Sequence, residues 1–335
     1  MTTTSPAQKA SVGPTSYGLR DNAWVRFAIR RAGQLLISLW ALVTAAFLMI
    51  HLVPGDPVRA SLGLTAPQSL VNARRRELGL DDPIVVQYWH YLGDLFTGNF
   101  GTSMSSQLPV SEVISQRLPA TLSLAVAAFV LALLIAIPLG ALMGVVTRGG
   151  RAQRSELGFT TLSVIIGAIP DFVVCIILVW IFGVNLHLLP VAGKSGLDSY
   201  VLPVVALAVG PGVILARILR VEMISVLRAD YVRTARAKRL PAVSIYLKHA
   251  LPNALTATLT LSGLLLSGLI AGTVLVENVF AWPGLGSTIV SSIQNKDYPV
   301  VQAIVLVYGV LVLLINLVVD IALALLDPRS TIREN

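Results

Sequence analysis

The residues best placed to do chemistry lie in a basic run that follows an apolar stretch. It reads Asp230-Tyr231-Val232-Arg233-Thr234-Ala235-Arg236-Ala237-Lys238-Arg239-Leu240 and leads to Lys248-His249-Ala250-Leu251-Pro252-Asn253. Cations at this density do not rest in hydrocarbon. A short amphipathic helix carrying Arg233, Arg236, Lys238 and Arg239 fits a rigid-body dock into a groove on a partner. The plainer reading is that these charges hold the loop on one side and touch anionic lipid. A second group is acidic or amide and sits inside or beside apolar runs. Asp171 follows Pro170, Glu277 precedes Trp282-Pro283-Gly284, and Asn316 and Asp320 are four apart, hence on one helical face. An intramembrane carboxylate is costly and is a functional candidate by default. Asp171 is read as lining a route and passing a substrate's cationic amine, against a structural pair or a hydrogen bond at a helix kink. For Asn316 and Asp320, bonding between helices or to a partner subunit competes with a place on the pathway. Glu277 is a candidate for shaping an external gate.

Catalytic chemistry is not readable. Gly193-Lys194-Ser195 resembles the end of a phosphate-binding loop, but Leu188 stands where that motif requires its first glycine. No metal-binding His pair at helical spacing and no nucleophile elbow occurs. His51, His90, His187 and His249 are scattered near span ends or in loops, which suits interfacial or structural roles. The one cysteine, Cys175, lies in an apolar run, so neither a disulfide framework nor a thiolate metal site is available. The chain thus shows no catalytic residue, no metal site and no means of hydrolysing ATP.

The elements that position these groups are membrane helices. Of 335 residues 55% are hydrophobic and only 13% charged, against about 25% charged in a soluble domain; mean hydropathy is +0.78. Apolar runs predict six spans, at about Ala32–Val53, Thr121–Val146, Leu157–Phe182, Val201–Ala216, Leu255–Val276 and Val300–Leu326. The N-terminal tail with the second, fourth and C-terminal loops holds 18 of the 25 Lys and Arg, which predicts both termini in the cytoplasm. The net charge of +8 is therefore a topology signal, and nucleic acid is not an expected partner. The expected organisation is a disordered tail over 1–25, a membrane domain over 26–330 and a short tail over 331–335. Within the domain, 54–117 is an outside insertion and 217–252 a cytoplasmic loop. The insertion holds two short helices, one near Pro67–Leu78 stopped by Gly79, the other capped by Asp82 with Pro83 at its first position and ending near Phe96. Tyr88, Trp89, Tyr91 and Phe96 in the latter suit a membrane–water interface.

The basic run resembles the EAA loop, the signature of the membrane subunits of ATP-binding-cassette importers. Arg233-Thr234-Ala235 falls on the Glu-Ala-Ala positions, Arg239 on the glycine and Leu251-Pro252 on the Leu-Pro. The wording from Tyr231 to Lys238 is similar to the B-type subunits of the oligopeptide, dipeptide and nickel branch. So are His51-Leu52-Val53-Pro54-Gly55-Asp56-Pro57, Leu78-Gly79-Leu80-Asp81-Asp82-Pro83, Gly98-Asn99-Phe100-Gly101, Glu277 to Gly286, Asn316 to Asp320 and Asp327-Pro328-Arg329. The resemblance implies an all-α permease of six spans in a prokaryotic inner or plasma membrane. It implies a second related permease, two ATPase subunits that use ATP and Mg, and an external binding protein that delivers peptide. It also implies that Tyr231, Arg233, Thr234, Ala235, Arg236, Lys238, Arg239, Leu251 and Pro252 couple to the ATPases.

Arg239 departs from the pattern. Glycine there permits a left-handed residue, which costs a non-glycine roughly 1 kcal/mol; the turn either takes that conformation at Arg239 or shifts towards Pro241. Other readings stay open. An ion-coupled secondary transporter would use Asp171 and Asp320 as ion sites, a membrane enzyme would need a constellation that is not visible, and nickel or another small solute could replace peptide as cargo.

Overall fold

The computed structural model describes residues 23–52, 58–59, 66–77, 79–150 and 152–326. The expected tails up to residue 22 and over 331–335 lie outside the described residues, as do residues 53–57 of the His51–Pro57 motif, Leu78 and Asp327-Pro328-Arg329.

Among the described residues the chain is helical throughout, with one isolated bridge between Thr102 and Pro109. We number the helices α1 Ala23–Leu52, α2 Gln68–Glu77, α3 Ile84–Phe96, α4 Val110–Val146, α5 Gln153–Ala168, α6 Asp171–Leu178, α7 Val201–Leu227, α8 Asp230–Ala237, α9 Leu251–Val279, α10 Leu285–Gln294 and α11 Tyr298–Leu326. A π-helical turn, Val179–Asn185, prolongs α6, and another, Ile245–Ala250, leads into α9. Among the described residues five helices are long and apolar enough to cross a bilayer: α1, α4, α7, α9 and α11. The third expected span, Leu157–Phe182, is broken. Ile169 and Pro170 are extended, and α5 and the segment from Asp171 to Asn185 meet at 93°. Proline has no N–H to donate and pushes the residue before it out of helix, so the apolar run cannot stay one rod.

Hydropathy marks where lipid ends, not where hydrogen bonding ends. α4 begins at Val110, inside the stretch expected to be insertion, because polar Glu112, Ser115, Gln116 and Arg117 continue the same helix. Likewise α7 runs through Pro211 and on to Leu227, so residues 217–227 are helix and not loop. α1 starts at Ala23, within the segment read as a tail. In the insertion, α2 stops before Gly79, which is left-handed at φ +63, as expected. α3 is flanked by Pro83 in the cap position with no side-chain cap, so Asp82 is not its cap; the Gln87 amide holds the Asp82 carbonyl instead.

α7 is the most enclosed span, and α1 and α11 the outermost. The closest pairing, α4 on α7, rests on a stripe every fourth residue: Ala120, Leu124, Ala128, Ala132, Ala136, Gly140 and Gly144, all buried. Small side chains let backbones approach, the usual basis of close helix contact in lipid. A Cβ at Gly140 would lie 2.7 Å from the Ala216 carbonyl oxygen, and one at Gly144 2.6 Å from Met223 Cβ.

Polar clasps fix the two ends. At the end bearing the basic run, Arg220 of α7 is buried, pairs with Glu156 of α5 at 2.5 Å and donates to Thr147 Oγ1 at 2.9 Å. At the opposite end the buried Asp297 carboxylate accepts the Ser103 and Ser105 hydroxyls at 2.5 and 2.7 Å and the Met104 and Ser105 N–H groups. Burial works against its charged form. These four donors outweigh burial and hold the carboxyl below the usual carboxylate range.

Candidate functional site

α8 has eight residues, too few to persist alone in water. Its seat is apolar. Val232 and Ala235 are buried against Leu219, Met223, Leu227, Ile245, Ala250 and Ala254; fully burying a valine of this kind stabilises by about 1.5–3 kcal/mol. Asp230 opens the helix and the cations follow towards its C-terminus, the order the helix dipole favours. The Arg236 guanidinium donates to the Leu227 carbonyl at 3.3 Å and so ties α8 to the end of α7. Arg233 meets Asp230 at 3.4 Å in full exposure, a pair of little energetic weight.

The departure at Arg239 is resolved by the backbone. Arg239 has φ +55, its N–H donates to the Arg236 carbonyl, and the Leu240 N–H donates to the Ala235 carbonyl. This is a Schellman ending, with arginine at the position glycine favours. The turn does not shift towards Pro241.

Of the residues expected to couple, Tyr231, Arg233, Thr234, Arg236, Lys238, Arg239 and Pro252 are exposed. Ala235 is buried beneath α8 and Leu251 packs partly on the same core, so both serve the seat. The segment also exposes Val243 at 66% and Leu247 at 57%, apolar groups beside the cations that the charge pattern alone does not single out.

At the opposite end Glu277 is completely buried. Its carboxylate accepts the Thr121 hydroxyl at 2.7 Å and the Gly286 and Ser287 N–H groups at 2.6 and 3.1 Å; the Leu285 N–H goes to Thr121 Oγ1 at 2.8 Å. Glu277 and Thr121 together therefore cap α10, an anion at the positive end of a helix dipole. Trp282 is buried above them, its Nε1–H on the Ala120 carbonyl and its ring edge-on to Tyr200. Gly284 and Gly286 are required by closeness: a Cβ at Gly284 would fall 2.5 Å from Glu277 Cδ, and one at Gly286 2.6 Å from Val274 Cα. Lys194, from the loop that resembled a phosphate site, lies over the Tyr200 and Trp282 rings.

Asp171 stands at the first position of α6, where the broken span turns. Asn316 Oδ1 accepts the Ser267 hydroxyl at 3.0 Å, joining α9 to α11, and Asp320 pairs with Arg31 of α1 at 2.6 Å. Both have bonds between helices of this chain, the plainer of the two expected roles. Among the described residues no group of three His, Cys, Asp or Glu side chains could hold a metal. Thr121, Asp297 and Arg220 were not singled out by sequence. The last two sit at helix ends or next to apolar runs as ordinary interfacial charges do, whereas the four-residue spacing of Ala and Gly in α4 was a readable sign of close packing.

A family model described as binding-protein-dependent transport system inner membrane component matches residues 136–332, and the model of its N-terminal part matches 24–125. The glutathione transport system permease protein GsiC of Salmonella typhimurium (strain LT2) is 39% identical over 304 residues, covering 91% of this chain and 98% of that protein. Its counterpart in Escherichia coli (strain K12) is 36% identical over the same length. An inward-facing structure of the MetNI methionine ABC transporter aligns with TM-score 0.55 at 19% identity, covering 64% of this chain and 96% of that one, a likeness of fold. The chain is thus a multi-pass inner membrane protein, and it belongs to the family of binding-protein-dependent transport system inner membrane components, the permeases of ABC importers.

Proposed function

We propose that this permease carries oligopeptides or dipeptides, forms half of a pathway completed by a second related permease, and is driven by two separate ATPase subunits that hydrolyse ATP with Mg as cofactor. An external binding protein delivers the substrate. The end bearing α8 faces the cytoplasm, in line with the bias of Lys and Arg. The observation that carries this reading is α8 itself, a short helix seated by Val232 and Ala235 with Arg233, Lys238 and Arg239 turned outward. A helix held by one face and free on the other passes a partner's movement into α7 and α9, to which it is joined. The names of the GsiC relatives support a peptide-like cargo; a permease for nickel or another small solute uses the same coupling.

The test is Arg233→Glu together with Arg236→Glu in the assembled complex. The variant should insert in the membrane yet lose the ATPases on purification, or hydrolyse ATP without transport. Normal assembly and transport would refute the docking assignment. Uptake that survives ATP depletion but collapses with an ion gradient would refute ATP drive altogether.

A further inference from the structure

The broken span places a carboxylate where a straight helix would place only apolar side chains. Asp171 is half-buried, and among the described residues no hydrogen bond or ion pair is made to its carboxylate. Two glycines leave it room. A Cβ at Gly210 of α7 would lie 3.8 Å from Asp171 Oδ1, and one at Gly272 of α9 would lie 3.6 Å from Oδ2. At 1.5 Å per residue, Gly210 is roughly 14 Å below the outer end of α7 and Gly272 roughly 10 Å below that of α9. The carboxylate therefore lies about two to three turns inside the outer ends of both helices, inward of the Glu277–Trp282 cap. Its neighbours are apolar or small: Cys175 one turn along α6 is fully buried, and Leu207 flanks Gly272.

Among the described residues most other acids buried or half-buried in the membrane domain have a bound partner, the exception being Glu222 near the inner end of α7. Glu277 holds α10, and Asp320 holds Arg31. Asp171 has none, and a charge at this depth is costly unless water or a counter-charge reaches it. Breaks in membrane helices are tolerated where the freed backbone lines a cavity, and such breaks recur where transporters bind their cargo. Here the half-helix N-terminus at Asp171 already carries its own anion, so the exposed group is negative, not positive.

We propose that Asp171, framed by Gly210 and Gly272, faces the translocation route and receives the cationic group of the cargo, the free amino terminus if that cargo is peptide. The inference rests on the importer reading above and names a specificity residue within it. Two arms test it. In a Cys175→Ala background, Gly210→Cys sets a thiol beside the carboxylate in a space that accepts a Cβ. Cationic and anionic methanethiosulfonates of equal size are applied to the intact complex, with and without Asp171→Asn. One unit charge about 5 Å away in water-like surroundings changes a local ion concentration about fourfold. The cationic reagent should thus react about fourfold faster and the anionic one about fourfold slower when Asp171 is present, and the difference should vanish in Asp171→Asn. No reaction from water, or no charge preference, overturns the proposal whatever the cargo is. In the second arm, Asp171→Asn should raise KM for peptides with a free amino terminus, leave N-acetylated peptides unchanged, and be rescued by Asp171→Glu. An equal loss for both peptide forms would mark a structural role and overturn it. A wild-type complex that moves no peptide refutes the cargo reading, while the thiol arm still decides the site.

Discussion

Glu277 offers the sharpest test of how the outer cap is held. Its carboxylate takes three donors, the Thr121 hydroxyl and the Gly286 and Ser287 N–H groups, in a fully buried setting. Glu277→Ala leaves all three donors without an acceptor. Each buried orphan costs about 1–3 kcal/mol. Allowing for non-additivity and partial relaxation, the loss comes to about 3–6 kcal/mol, enough to free α10 from α9. Glu277→Gln keeps the shape and one acceptor oxygen for the two N–H groups. It loses the charge assistance and turns a donor towards Thr121, for a cost of about 1–3 kcal/mol. The assay is protease cleavage between Val279 and Leu285 in the detergent-purified complex, followed over temperature. Cleavage should begin at a lower temperature for Glu277→Gln and at a much lower one for Glu277→Ala, with the membrane spans still inserted. Equal protection of Glu277→Ala and wild type would refute the capping argument. If Gln and Ala behaved alike, the charge rather than the three-donor geometry would be what matters.

Two further outcomes follow from particular backbone and side-chain positions. Arg239→Gly should stabilise the α8 turn by up to about 1 kcal/mol, because relief of left-handed strain outweighs glycine's extra freedom in the unfolded chain; slower hydrogen exchange at the Leu240 amide is the readout, and faster exchange would contradict it. Asp297, held below the usual carboxylate range, contributes stability that is complete above the unfolded value near 4 and is lost as pH falls through its lowered folded value. Release of the loop at Ser103–Ser105, measured by proteolysis as pH is lowered, should show this step in wild type and not in Asp297→Asn, which starts out weakened.

The spans were legible because a bilayer demands long apolar runs, and Leu255–Val276 or Val300–Leu326 give that signal without help from any neighbour. The basic run was legible as a segment outside the bilayer for the same reason in reverse. Which residues of α8 stay exposed was not. Ala235 belongs to the resembled motif as much as Arg233 does, yet burial against Ala250 and Ala254 takes it out of reach. The ends of α4 and α7 were misplaced because hydropathy falls at Arg117 and Arg217 while backbone hydrogen bonding continues past both.

By itself the sequence determined an all-α membrane protein with one basic segment outside the lipid, since these follow from residue-by-residue transfer between water and lipid and from local spacing. Tertiary structure alone decided what each polar residue inside that frame does. Glu277, Asp320 and Asp171 are all acids in or beside apolar runs. Only the third dimension brings Thr121 and the α10 amides to the first, Arg31 to the second, and two bare glycines to the third. A carboxylate's surroundings are set by what lies within about 4 Å of it, and those groups come mostly from parts of the chain far away in sequence.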